Sequence, residues 1–252
     1  MNPSPYPAPF RSAHTRARIV RMLLIAGAIT TGVTLLAETL SLAFPPLAED
    51  QELGDNPIGA AVMFLVFFLA LLDFIIYVTT VVFFLIWLHR AHSNLKVFNA
   101  WARLEHTAGW AVGSFFIPFV NLVVPYQAVK EVWRKSSPPD EIYLAETNPP
   151  ASFPLWWLFW LTSSFANNIS FRLAFNENVS QQAATIVSIA ASALSVVAAV
   201  FCYTVVGAID KKQEEAAAKL NLGKIPGPPL PPTLPPDVMT ATTGPHNPQQ
   251  GF

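Results

Sequence analysis

Residues 109–133 read Gly-Trp-Ala-Val-Gly-Ser-Phe-Phe-Ile-Pro-Phe-Val-Asn-Leu-Val-Val-Pro-Tyr-Gln-Ala-Val-Lys-Glu-Val-Trp. The run is apolar enough to enter a bilayer, yet Pro118 and Pro125 break it, with Asn121 between them. Each proline removes a backbone donor and disturbs a helix. Hydrocarbon accepts such irregular backbone only where other protein or a cavity satisfies the freed groups. The segment is therefore expected inside a helical bundle, as a re-entrant or sharply kinked piece. In a continuous helix Pro118 would free the carbonyl of Ser114 and Pro125 that of Asn121. A neighbouring helix or water must pair them, and the Asn121 amide is placed to contribute.

The rest of the chain supplies the bundle. About 20 apolar residues span the hydrocarbon, and four runs meet that length: 22–44, 58–88, 154–175 and 183–209. The second, at 31 residues, is too long to stand upright and is expected to tilt or project. The third opens with Trp156, Trp157, Phe159 and Trp160. Charged residues make up only 12% of the chain, against about 25% in soluble domains. The fold class predicted is all-α: an integral membrane bundle of four transmembrane helices plus the proline-broken segment.

The distribution of basic residues orients it. If 109–129 dips in and returns, 14 of the 15 Lys and Arg residues share one face and only Arg172 lies elsewhere. If it crosses, the split is 8 against 7. Positive residues concentrate on the cytoplasmic side, so the first arrangement is expected, in the cell membrane with both termini cytoplasmic. The domain layout follows. Residues 1–21 form a basic, Pro-rich cytoplasmic tail without a cleavable signal, and 22–209 the membrane domain. Residues 210–224 form a cytoplasmic helical extension ending near Gly223, and 225–252 a disordered Pro-rich tail. Residues 96–107 place Val97, Trp101 and Leu104 at helical spacing and read as a short interfacial helix.

Three blocks resemble a known family. They are Phe84-Leu-Ile-Trp-Leu-His-Arg-Ala-His-Ser-Asn-Leu95, the run from Gly109 through Pro125-Tyr-Gln-Ala-Val-Lys-Glu-Val-Trp-Arg-Lys-Ser136, and Ile209-Asp-Lys-Lys-Gln213. Together they are similar to the family called domain of unknown function 4328, over roughly residues 60–215. The resemblance implies a multi-pass membrane protein and brings no activity, cofactor or site residue with it.

Ionisable residues within a span cost about 2.5–3.5 kcal/mol at the helix centre. Three stand out: Glu38, on a stripe with Thr30 and Thr34; Asp73, with Tyr77 and Thr80; and Arg172, with Ser164 and Asn168. Two roles fit them. One is a polar pathway or ligand site between the spans. The other is structural, with Glu38 paired to Arg172 and Asp73 taking a hydroxyl or water. With Pro118, Asn121 and Pro125 these three are the candidate site residues.

In the fourth run Ser188, Ser192, Ala191, Ser195 and Ala199 lie four apart in two rows, a pattern that allows close helix–helix approach within the chain or between copies. His89 and His92 have no acid or cysteine within a turn of them, and with His106 they read as membrane-edge histidines, not metal ligands. Arg90, His92 and Asn94 could contact lipid phosphates. The lone Cys202 reads as a buried apolar residue.

No Ser-His-Asp order, phosphate loop or zincin motif is present, and a net charge of -1 argues against nucleic acid as a partner. The expected function is a non-enzymatic binding or structural membrane module without a cofactor, in contact with membrane lipids. A small-solute or ion transporter or channel, using 109–129 and the buried polar residues, is the alternative.

Overall fold

A computed structural model describes residues 10–43, 57–98, 103–138 and 148–222. Among these residues all regular structure is helical. Long apolar stretches with proline only in the first turn (Pro57, Pro154) give α1 (His14–Ala43), α2 (Pro57–Ser93), α6 (Ser152–Ala174) and α7 (Gln181–Lys219). Between α2 and α6 lie three short helices, α3 (Leu95–Phe98), α4 (Ala108–Gly113) and α5 (Val124–Lys135). The Pro-rich tail 225–252 and the loop between the first two runs fall outside the described residues.

Cross-helix contacts fix the order and register. Thr30 on α1 bonds Asp73 on α2, and a Cβ at Gly27 would meet Ile76 at 3.5 Å, so α1 and α2 are antiparallel. On its other side α1 meets α7: His14 bonds Asp210, Arg21 bonds Tyr203 and Ser188 bonds Glu38, again antiparallel. Asn167–Ser195 and Phe159–Phe201 set α6 antiparallel to α7. The lateral order is α2, α1, α7, α6, and Phe84 and Trp156 (ring centroids 5.8 Å apart) join α2 to α6. The start of α1, the end of α2, the start of α6 and the end of α7 therefore share one end.

The core sits at that end. Val20, Trp87, Leu88, Ala91, Val132, Phe153, Val205, Val206 and Ile209 are all fully buried. Farther along, α7 packs through small residues. Ala184, Ala191 and Ala198 are buried at intervals of seven, the step that keeps one face of a helix against its neighbours. Ser188 and Ser195, from the two predicted rows, bond Glu38 and Asn167 inside the chain.

The helix ends differ from the sequence expectation in ways local chemistry explains. α1 begins at His14, eight residues before the apolar run, because Ser12 Oγ accepts the His14 amide and starts the helix early. α7 ends at Lys219, before Gly223. Asn221 takes the left-handed conformation (φ 52°), and Leu222 and Asn221 donate to the carbonyls of Ala217 and Ala218. These are the two reverse bonds of a Schellman cap, with Asn where glycine is usual. Of the predicted helix over 96–107, the described residues are helical at Leu95–Phe98 and irregular at 103–107. There the backbone amides of Glu105 and His106 turn to the Glu131 carboxylate instead of a helix carbonyl.

Residues 108–135 are not one continuous helix. α4 starts at Thr107, whose side chain accepts the Trp110 amide, and passes into two 3-10 turns, Ser114–Phe116 and Val120–Leu122. Between the turns the Val120 amide bonds the carbonyl of Pro118, and Phe119 sits at φ 63°. This is the γ-turn geometry, a sparsely populated conformation that costs about 1–3 kcal/mol. The prolines act at boundaries. Pro118 follows a turn that has already ended, and Pro125 lies in the first turn of α5, where its missing donor costs nothing. Trp157 Nε1 donates to the carbonyl of Leu122 at 3.0 Å, so the neighbouring helix does pair loose backbone, at Leu122 and not at Ser114 or Asn121.

Three helical segments, His14–Leu40, Phe67–Phe98 and Gln181–Lys219, are long and apolar enough to cross a membrane. α6 is not among them, because Thr162, Ser163, Ser164, Asn167, Asn168, Ser170 and Arg172 dilute its second half. The outward faces are apolar. Met22, Ile25, Ile29, Val33, Leu36 and Leu40 form an exposed stripe along α1, and Phe67, Phe68, Leu71, Phe74 and Ile75 are exposed on α2. Water-soluble monomers rarely expose apolar patches of this extent.

Candidate functional site

The shared end of the bundle holds a buried polar cluster built from α2, the 103–107 loop, α5, α7 and the start of the chain. Its centre is Glu131. α5 is amphipathic, and Glu131 shares the buried face with Pro125, Ala128 and Val132. One carboxylate oxygen accepts the Glu105 amide. The other accepts the His106 amide at 3.1 Å and faces His106 Nδ1 at 2.9 Å and His92 Nε2 at 3.4 Å. Burial alone would raise the Glu131 carboxyl. The bonds from His92, the Glu105 amide and His106 outweigh it and bring the group down to about 2. The carboxylate thus clasps the two ends of the segment 106–131, 25 residues apart in sequence.

A second set of bonds adjoins it. Gln213 on α7 donates to the Ala91 carbonyl at 2.8 Å and to Ser136 Oγ at 2.9 Å, and accepts from Asn94 Nδ2 at 3.3 Å. Ala91 lies in the last turn of α2, where carbonyls lack helical partners. Asn94 also donates to the Arg11 carbonyl at 3.1 Å. One glutamine thus ties α2, α7 and the end of α5, and one asparagine adds the N-terminal segment. Nearby His14 Nδ1 meets Asp210 at 2.8 Å, and Lys212 bonds the Trp133 carbonyl and lies 4.3 Å above its ring. Among the described residues no group of three or more His, Cys, Asp or Glu has an arrangement that could hold a metal ion.

The candidate residues read from the sequence lie elsewhere. Asp73 accepts the hydroxyl of Thr30 and, at 3.5 Å, that of Thr31. Glu38 accepts Ser188 Oγ at 2.6 Å, and Arg172 donates to Asn168 at 3.2 Å on its own helix. The expected Glu38–Arg172 ion pair is not formed among the described residues. Asn121 bonds through its backbone amide, to the Ile117 carbonyl at 3.0 Å. Pro118 and Pro125 flank the 3-10 turn Val120–Leu122 that contains it. The structure therefore keeps Glu38, Asp73 and Arg172 apart and groups only Pro118, Asn121 and Pro125. Of the trio Arg90, His92 and Asn94, the last two turn inward to Glu131 and to Arg11 and Gln213.

His92, Asn94, Glu131, Ser136 and Gln213 come from the three sequence blocks that carry the family resemblance. A family model for a domain of unknown function (DUF4328) matches residues 54–211. The chain belongs to the DUF4328 family. No curated protein and no solved structure matches it. The DUF4328 region contains all of the Glu131 clasp, while Gln213 and α1 lie just outside it. The site was readable in one respect only: Glu131 is an acid on the apolar face of α5. Its partners stand some 25 and 39 residues away, and no local spacing reveals them.

Proposed function

We propose that the protein is a multi-pass protein of the cell membrane that acts as a non-enzymatic binding or structural module, with both termini in the cytoplasm. α1, α2, α6 and α7 cross the bilayer, and the segment 108–135 re-enters from the cytoplasmic side. The re-entrant reading is supported by the Glu131 clasp, which brings residues 105 and 106 back to residue 131. It is supported also by an apolar tip, where Phe116, Phe119 and Val123 are exposed. Such a tip suits hydrocarbon and not water.

The observation that carries the module reading is where the polar groups spend their bonds. Asp73 and Glu38 are occupied by hydroxyls of adjacent helices, in pairs that hold α1 to α2 and to α7. A pathway would need such groups free to meet a solute. A transporter or channel is the second reading, favoured by the strained turn at Phe119 in a broken segment.

Proteoliposomes decide between them. Vesicles carrying the full chain and loaded with pH- and potassium-sensitive dyes are expected to leak no faster than protein-free vesicles. A flux that Asp73→Asn abolishes, with no change in melting temperature, would overturn the module reading in favour of transport.

A further inference from the structure

The seam between the start of α1 and the end of α2 gathers positive charge that no carboxylate among the described residues pairs with. The register set by Thr30–Asp73 and by Asn94 with Arg11 places Arg90, one turn before Asn94, beside the first turn of α1. There Arg90 lies within electrostatic reach of Arg11 and Arg16. Arg90 and Arg16 are half-buried and Arg11 is exposed. Arg90 Nε is buried without a hydrogen-bond partner. Among the described residues no carboxylate pairs with any of the three. Three described acids of this end are engaged elsewhere: Asp210 with His14, Glu214 with Ser12, Glu131 with the two histidines.

We propose that Arg11, Arg16 and Arg90 form a binding site for the phosphate of an anionic lipid headgroup. Three guanidinium groups held together repel one another, and a bound anion removes that cost. Their planar forks match phosphate oxygens in bidentate geometry. The N-terminus of α1, a 30-residue helix, adds partial positive charge beside them.

Depth selects a lipid over a soluble anion. Exposed apolar side chains begin at Met22 on α1 and end at Ile86 on α2. At 1.5 Å per residue, Arg16 and Arg90 stand about 9 and 6 Å beyond that belt, at headgroup level. The inference rests on the membrane reading above and on this end facing the bilayer surface.

Native mass spectrometry of the full chain in mild detergent, titrated with phosphatidylglycerol or phosphatidylcholine, tests it. Near a membrane surface each basic residue is worth about 1 kcal/mol, or roughly fivefold in affinity. Arg11→Gln, Arg16→Gln and Arg90→Gln are each expected to weaken phosphatidylglycerol binding about fivefold or more and to leave phosphatidylcholine binding unchanged. Arg18→Gln, an exposed arginine outside the cluster, makes no contact with a phosphate held there and is expected to weaken binding less than any of the three. An equal loss in Arg18→Gln would overturn the site in favour of diffuse surface charge. Equal binding of the two lipids would overturn it outright. Inorganic phosphate that competes as well as the lipid would reassign the site to a soluble anion.

Arg90→Lys, which keeps the charge and loses the fork, should fall between wild type and Arg90→Gln. Unaltered melting of all variants in phosphatidylcholine excludes misfolding as the cause. A chain that fails to insert into phosphatidylcholine nanodiscs would sink the membrane reading and the site together. Insertion without lipid discrimination would sink the site alone.

Discussion

Replacing Glu131 by Gln keeps the shape of the side chain and removes its charge, and the structure sets the cost. The carboxylate serves four donors on two oxygens: the Glu105 amide on one, and the His106 amide, His106 Nδ1 and His92 Nε2 on the other. A glutamine has one oxygen. If it takes the His106 side, its NH2 faces the Glu105 amide, donor against donor. Stranding this part-buried donor costs about 1 kcal/mol or more, and the remaining bonds lose their charge assistance. The titration gives a second route to the magnitude. A carboxyl held at about 2 against an ordinary 4.5 is stabilised by roughly 3 kcal/mol at neutral pH. Both routes point to about 3 kcal/mol, or roughly 6–12 °C in melting temperature for a chain of this size.

The sign of the pH dependence follows. The folded value lies below the unfolded one, so the contribution is fully present above about pH 4.5 and is lost as pH falls towards 2. Thermal melting of wild type and Glu131→Gln in one detergent, from about pH 7 to about pH 2, is the assay. The deficit of the variant is expected to be full at neutral pH and to close across that window. Hydrogen exchange adds a local reading: the Glu105 and His106 amides should lose protection while the α1–α7 contacts keep theirs. Equal melting at neutral pH, or a deficit that persists unchanged to the acid limit, would refute the clasp.

Four further outcomes are expected. Cysteines placed at Lys135 and Lys211, in a Cys202→Ala background, should react with impermeant reagents only from the cytoplasmic side, and labelling from outside would overturn the topology. Thr30→Val should lower stability by about 0.6 kcal/mol, the mean for interhelical hydrogen bonds in a membrane, and Asp73→Asn, which keeps an acceptor for Thr30, by no more than that. A several-fold larger loss in a thermal melt would show that Asp73 is held by its charge. Trp157→Phe should cost about 1–3 kcal/mol by stranding the Leu122 carbonyl, whereas Asn121→Leu, with only its backbone bonded, should stay within about 0.5 kcal/mol. The reverse order of melting temperatures would show that the Asn121 amide supports the turn. Truncation after Lys224 should leave expression and melting unchanged, because its prolines give the tail little to bury, and a large loss of folded protein would show that the tail docks on the bundle.

What the sequence could and could not show divides along the line between local and relational information. Runs of apolar residues announce helices because burial in an apolar medium and helix formation both act over consecutive residues, and each of the four runs lies inside an α-helix to within a residue over its described part. The proline-broken stretch likewise announced a break, since proline acts on its own turn. Partner choice is different, because it depends on how helices slide and in what order they stand. Glu38 and Arg172 show this. In the α1–α7 register Glu38 lies opposite Ser188, and in the α6–α7 register Arg172 lies at nearly the same level. Their common depth, which suggested the pairing, is therefore real. But α7 stands between α1 and α6, so each charge meets a neighbour on its own side, Ser188 or Asn168. The Glu131 clasp is the converse case. Residues with no local reason to associate are brought together because the 3-10 turns reverse the chain and return α5 to the end of α2. A carboxylate that stands beside Lys130 in sequence is, in the fold, the group that ties residues 105 and 106 back to α5.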